Sequence, residues 1–290
     1  MATTAQWIEG ARPRTLPAAV APVVVGLGAA SPLGEANLAY ALLALLVALF
    51  LQVGVNYAND YSDGIRGTDE ERVGPVRLVG QGLAHPDNVK LAAFAAFGAA
   101  GLAGLALVAV SNTLVMVPIG ALAVLAAWRY TGGDNPYGYR GLGEVFVFVF
   151  FGLVATLGTL YCMAHRLTWV GLLGAIGVGC IATAILVANN LRDIPTDTET
   201  GKRTLAVRLG DRRTRALYLL LMLAPLACAG GIAVWHPWAL LALAAAALAA
   251  RPVRVVTGGA TGPGLIPVLL GTGLYEVAYA VLLAVGLVLA

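Results

Sequence analysis

Residues 36–63 read ANLAYALLALLVALFLQVGVNYANDYSD, and the fold follows from how this stretch changes along its length. From Ala36 to Val55 it is almost wholly apolar, close to the roughly 20 residues that carry a helix across about 30 Å of hydrocarbon. From Asn56 onward it turns polar and acidic. A helix continued through that end places Asn56, Asp60 and Asp63 at i, i+4 and i+7, on one stripe. Residues 170–197, VGLLGAIGVGCIATAILVANNLRDIPTD, repeat the plan, with Asn189, Asp193 and Asp197 at i, i+4 and i+8. Pro195 interrupts it. Proline has no N–H and disfavours α geometry at the residue before it, so Asp197 is expected to belong to a new turn.

The whole chain shares this character. Of its 290 residues 59% are hydrophobic and only 11% charged, with a mean hydropathy of +0.83. Soluble domains carry about 25% charged residues, so the bilayer is the solvent here. Spanning helices are expected near Thr15 to Ala30, Ala36 to Asn56, Val89 to Val110, Thr113 to Tyr130 and Leu142 to Cys162. Four more are expected near Trp169 to Asn189, Leu217 to Trp235, Trp238 to Ala250 and Leu274 to Ala290, the eighth being short. The expected architecture is all-α, a single polytopic domain over residues 1–290 with about nine transmembrane helices around a lipid-accessible cavity. Cys162, Cys180 and Cys228 stand alone in apolar runs and read as small packing residues. The N-terminus, lacking a clear small-residue cleavage site, reads as uncleaved.

With nine alternating spans, 17 of the 18 Lys and Arg fall on the side of the N-terminus, and only Arg166 falls opposite. By the positive-inside rule that side is cytoplasmic, in a cell inner membrane. Both acidic stretches and the long loops Tyr57 to Asn88 and Asn190 to Arg215 lie on it.

Carboxylates repel at such spacing, and more strongly near lipid, so a cation should compensate them. Mg²⁺ suits the pattern, because it takes oxygen ligands and is commonly held by one or two carboxylates together with substrate phosphates. Zn²⁺ does not, since the histidines are scattered. Arg66, Arg72 and Arg77 follow the first cluster, and Lys202 and Arg203 the second. A diphosphate shared between Mg²⁺ and these cations fits the mixture, and the same groups would stabilise a departing pyrophosphate. No feature points to nucleic acid. Arg212, Arg213 and Arg215 read as anchors beside anionic membrane lipid.

At Asn59-Asp60-Tyr-Ser-Asp63 and Asp193-Ile-Pro-Thr-Asp197 the sequence resembles the UbiA superfamily of intramembrane prenyltransferases. Three further stretches, Trp7 to Pro17, Gly74 to Arg77 and Tyr130 to Glu144, resemble the branch that prenylates 1,4-dihydroxy-2-naphthoate in menaquinone synthesis, as does Gly201 to Gly210. The resemblance implies a Mg²⁺-dependent transferase that joins a polyprenyl diphosphate to an aromatic acceptor. It assigns Asp60, Asp63, Asp193 and Asp197 to Mg²⁺, with Asn56, Asn59 and Asn190 assisting. It gives Arg72, Arg77, Lys202 and Arg203 to phosphate oxygens or the acceptor's carboxylate, and Arg12 to the substrate pocket. Tyr130, Tyr137, Tyr139 and Arg140, in the loop like that of the naphthoate branch, are substrate-contact candidates. One departure from the family pattern is Gly67, which stands where many members have another aspartate, with Asp69 two residues later.

Two rivals are weaker. Asp60-Tyr-Ser-Asp63-Gly64 begins like the motif of enzymes that transfer phosphoalcohols from CDP-linked lipids, but the rest of that motif is missing. A transporter would place ionisable groups along a midplane path, whereas the span centres here are Ala, Leu, Val and Gly. Glu276 is the one acid inside an apolar run, either functional or reaching the headgroups near the start of its helix.

Overall fold

In a computed structural model, which describes residues 2–67 and 76–290, the chain is helical, with no strand among the described residues. Asp69 and Arg72 lie outside the described residues. The helices are α1 (Thr4–Gly10), α2 (Pro17–Ala30), α3 (Leu38–Ile65), α4 (Pro86–Ser111), α5 (Met116–Arg129) and α6 (Gly143–Ala164). They continue with α7 (Trp169–Arg192), α8 (Ile194–Glu199), α9 (Leu205–Ala233), α10 (Pro237–Thr257) and α11 (Gly262–Val288).

All nine expected apolar segments are helical, but they do not all qualify as full spans. Seven helices are long and apolar enough to cross a membrane, and α1–α2, bent by 49°, makes an eighth if taken as one span. The short span is not the eighth segment, as expected, but the fourth. α5 has 14 residues, which at 1.5 Å per residue reach only about 21 Å. The eighth, α10, gains length because its first nine residues wind as a tighter 3-10 helix and its last turns run on through Arg251 and Arg254.

α3 shows how length sets the site. Asn37 caps it by accepting from the Tyr40 N–H at 3.1 Å, and the helix then runs 28 residues, about 42 Å. That exceeds the hydrocarbon by about two turns, so its polar end stands clear of the lipid tails. α7 is the most enclosed span, with 67% of its apolar window buried against 22% for α3. It packs on α6 where two glycines meet: a Cβ on Gly152 would fall 2.7 Å from the Gly179 Cα. In the same stretch of α6, residues Phe148–Val154 wind as a π-helix, which turns Phe150 and Phe151 to the interior cavity.

The core lies among α2, α7, α9, α10 and α11. α9 and α11 are joined by buried hydrogen bonds, Tyr218 to Thr272 at 2.8 Å and the Tyr279 hydroxyl to the Pro225 carbonyl at 3.1 Å. The three cysteines are buried and unbridged, as expected. Of the two readings left open for Glu276, the headgroup one does not hold. Its helix starts at Gly262 rather than Leu274, so the carboxyl does not reach the headgroups; it is fully buried and neither oxygen has a hydrogen-bond partner.

Candidate active site

α3 reaches the site as one unbroken helix, and Asn56, Asp60 and Asp63 are all buried on it. Asp60 points at the chain returning after the loop: its carboxylate accepts the Leu78 N–H at 2.7 Å and the Val79 N–H at 3.1 Å. Gly64 permits that approach, since a Cβ there would sit 2.5 Å from Val79 Cγ1. Asp63, one turn on, meets cations instead, with Lys202 Nζ at 3.4 Å and an Arg77 nitrogen at 4.0 Å, and the Tyr139 hydroxyl donates to it. Buried charges persist only with such partners.

The second arm is broken where Pro195 predicted. α7 ends at Arg192, Asp193 has φ −94° and ψ 4°, and α8 restarts with Pro195 in its first turn. Asp193 is gripped by Arg192 through two bonds, Nε at 2.6 Å and a terminal nitrogen at 2.8 Å. Arg192 also donates to Asn189 Oδ1 at 2.8 Å. Asp197, on α8, accepts from Thr204 at 3.4 Å, and Thr204 caps α9.

The loop 131–140 ties the arms together. Arg66 donates to the carbonyls of Thr131 and Gly133, and the Thr131 hydroxyl to Asn59 at 2.8 Å. Tyr139 lies under the Lys202 ammonium, 4.6 Å from ring centre to nitrogen, and its carbonyl accepts the Arg203 N–H at 2.9 Å. The N-terminal elbow closes a third side: Asn56 donates to the Ala11 carbonyl at 2.8 Å and to Thr15 at 3.0 Å. Between those two residues Arg12 takes a left-handed conformation, φ 56° and ψ 68°, which costs an L-residue about 1–2 kcal/mol and is sustained by these bonds.

These elements enclose a cavity of about 1100 Å³. Its head is bordered by Arg12, Asn56, Asn59, Asp63, Arg77, Asn190, Asp197 and Lys202. Its body runs between α3, α4, α5 and α6 past Leu51, Gly104, Gly120 and Val124. Tyr130, Tyr137 and Tyr139 border it too. Tyr137 stacks on Phe146 with centroids 3.9 Å apart; burial pushes its phenol up, so it stays neutral and donates to the Ala126 carbonyl at 2.8 Å. Asp60 and Asp193 are buried beside the head but are not among the bordering residues. Arg140 and Arg203 have exposed side chains and do not border it either.

The sequence reading passed over Arg192, Glu144 and the pair Phe146 and Phe150. Arg192 counted there only as a basic residue, although its place next to Asp193 was the available signal. The two phenylalanines, four residues apart in an apolar run, look like ordinary lipid-facing residues, yet both border the cavity.

No three His, Cys, Asp or Glu side chains among the described residues gather closely enough to cage a metal. Among the oxygen donors that border the head, Asp63 and Asp197 with Asn59 and Asn190 suit a cation that completes its shell with phosphate oxygens and water, as Mg²⁺ does. They fit Mg²⁺ arriving with a diphosphate better than a resident ion held by protein alone.

A polytopic helical membrane protein with a charged head on a long apolar cavity is the class that fold and site define. The profile of the UbiA prenyltransferase family matches residues 19–257, and the chain belongs to that family. It is 54% identical over 290 residues, all of this chain and 98% of the relative, to 1,4-dihydroxy-2-naphthoate octaprenyltransferase of Mycobacterium leprae. The protein of the same name from Escherichia coli is 39% identical over 87% of this chain and 85% of its own. In fold the chain is similar to a UbiA homolog from Archaeoglobus fulgidus solved with GPP and Mg²⁺, with a TM-score of 0.67 at 14% identity over 96% of this chain and 99% of that one.

Proposed function

We propose that this protein transfers a polyprenyl chain from its diphosphate to 1,4-dihydroxy-2-naphthoate, releasing diphosphate and CO₂ and giving demethylmenaquinone. The observation that carries the reading is the cavity itself, in which cations and oxygen donors crowd one end and the remainder is apolar. The names of the relatives at 39–54% identity support the acceptor.

Lys202, Arg77 and Arg12 take the negative charge of the diphosphate and stabilise it as it leaves. Asp63 and Asp197, with Asn59 and Asn190 beside them, hold Mg²⁺, which when bound supplies Lewis-acid stabilisation of the phosphate oxygens. The apolar body receives the prenyl chain and keeps water from the allylic cation. Tyr139, Tyr130 and Phe146 present π faces to that cation, worth about 0.5–2 kcal/mol each. The ring carbon bearing the carboxylate attacks, and loss of CO₂ restores aromaticity. The head faces the cytoplasm in this reading, on the side that carries the basic residues.

The test uses purified protein with a polyprenyl diphosphate and either dihydroxynaphthoate or 4-hydroxybenzoate. Product with the naphthoate alone is expected, and EDTA should abolish it. Product with hydroxybenzoate alone would move the protein to another branch of its family, and activity untouched by EDTA would remove the metal.

A further inference from the structure

Asn190 borders the cavity, whereas Glu144, in the first turn of α6, does not. The two meet behind the wall: Asn190 Nδ2 donates to Glu144 Oε1 at 2.9 Å, and their exposures are 8% and 5%. That bond commits the NH₂ end of the Asn190 amide to Glu144 and leaves the amide oxygen for whatever occupies the cavity. The other oxygen of Glu144 is buried with no hydrogen-bond partner, so Asn190 is the side chain this carboxylate serves. Burying a carboxyl for one bond is expensive if packing is its only purpose.

The pair is also held in place. A Cβ on Gly143, beside Glu144, would lie 3.2 Å from the Tyr130 ring and 3.3 Å from Leu186 on α7, so this turn is pressed between the aromatic loop and the helix that carries Asn190. Two residues past Glu144 the aromatic wall begins, with Phe146 stacked on Tyr137 and Phe150 at 6.0 Å from Phe146.

We infer that Glu144 is a positioning residue, which holds the Asn190 amide oxygen toward the cavity as a fixed acceptor for a hydrogen-bond donor of the ligand. That donor is a hydroxyl of the aromatic acceptor or a water carried on a hydrated cation. The inference rests on the function proposed above and adds a residue outside the aspartate motifs to it.

The test compares wild type with Glu144→Gln, whose amide offers both a donor and an acceptor and so lets Asn190 settle either way round. Glu144→Asp, which keeps the carboxylate on a shorter stem, is the conservative control. Activity yields kcat, KM for dihydroxynaphthoate and the Mg²⁺ concentration for half-maximal rate. Two measurements need no turnover: quenching of tryptophan fluorescence by dihydroxynaphthoate, and the thermal shift caused by Mg²⁺ with inorganic pyrophosphate. Loss of one oriented hydrogen bond should weaken one of these ligands about tenfold in Glu144→Gln, with kcat within about threefold and an unchanged Tm without ligand, and Glu144→Asp should recover part of it. Weakened naphthoate binding identifies the ring hydroxyl as the donor, and weakened Mg²⁺-pyrophosphate binding identifies the metal-bound water. Unchanged binding of both, or a fall in Tm and kcat with both affinities intact, overturns the inference. A wild type inactive on the naphthoate would sink the proposed function instead, and the two binding measurements would still decide the role of Glu144.

Discussion

The two aspartate arms look alike in sequence and are built differently. The first is a continuous helix that outruns the bilayer, and the second is a helix that stops, turns at Asp193 and restarts with Pro195. Both nevertheless divide their acids in the same way. The earlier aspartate of each pair is taken up by protein donors, Asp60 by two backbone N–H groups and Asp193 by Arg192. The later one, Asp63 or Asp197, borders the cavity. What the difference teaches is that a spacing of acids fixes neither their backbone nor their partners: one member of each pair borders the cavity and the other does not.

That division can be broken by experiment, and the largest effect should come from the brace of the second arm. Arg192→Ala removes the two charge-assisted bonds that Arg192 makes to the buried Asp193, at a cost of about 3–5 kcal/mol, read as a lowered midpoint of thermal unfolding in detergent. Restoration of much of that loss by adding Asp193→Leu would confirm that Asp193 is structural rather than a ligand. Next comes Asp63→Asn, which keeps an acceptor for Tyr139 and removes the charge that faces Lys202 and Arg77; kcat/KM should fall about 100- to 1000-fold, a larger effect than the accompanying loss of stability. Asp60→Asn should show the opposite balance. Its single amide oxygen satisfies one of the two N–H groups, so stability falls by about 1–3 kcal/mol while activity falls less than in Asp63→Asn. Equal activity loss in Asp60→Asn and Asp63→Asn, with stability held in both, would end the distinction between brace and facing acid. Pro195→Ala should do least, about 0.4–1 kcal/mol of stability, because it only restores freedom to the unfolded chain.

The helical character, the apolar segments and the gathering of Asp63, Asp197, Lys202 and Arg77 at one mouth were legible in the sequence, because hydropathy and charge side act over whole segments. The break at Pro195 was legible too, from a single residue with a fixed backbone. The start of α11 was not, since Gly262 to Gly273 is apolar but rich in Gly and Pro; in the structure the prolines fall in first turns, where a missing N–H costs nothing. Nor was the split between bracing and facing acids legible. It depends on Leu78 and Val79, which are far in sequence from Asp60 and contribute only backbone N–H groups, and backbone donors carry no sequence signal. Likewise Glu144 reads as one more acid at the start of a span until α7 brings Asn190 against it.

Glu276 bears on how the protein is made as well as how it is packed. When the last span leaves the ribosome-bound translocon it must partition into lipid while it carries an acidic side chain near its middle, and a charged residue such as aspartate at a helix centre costs about 2.5–3.5 kcal/mol in that step. Leucine, isoleucine and valine each offset about 0.3–0.6 kcal/mol, and α11 is dense in them on both sides of Glu276. The apolar richness of this helix is therefore also a condition for its entry into the membrane, settled before any neighbouring helix is there to enclose the acid.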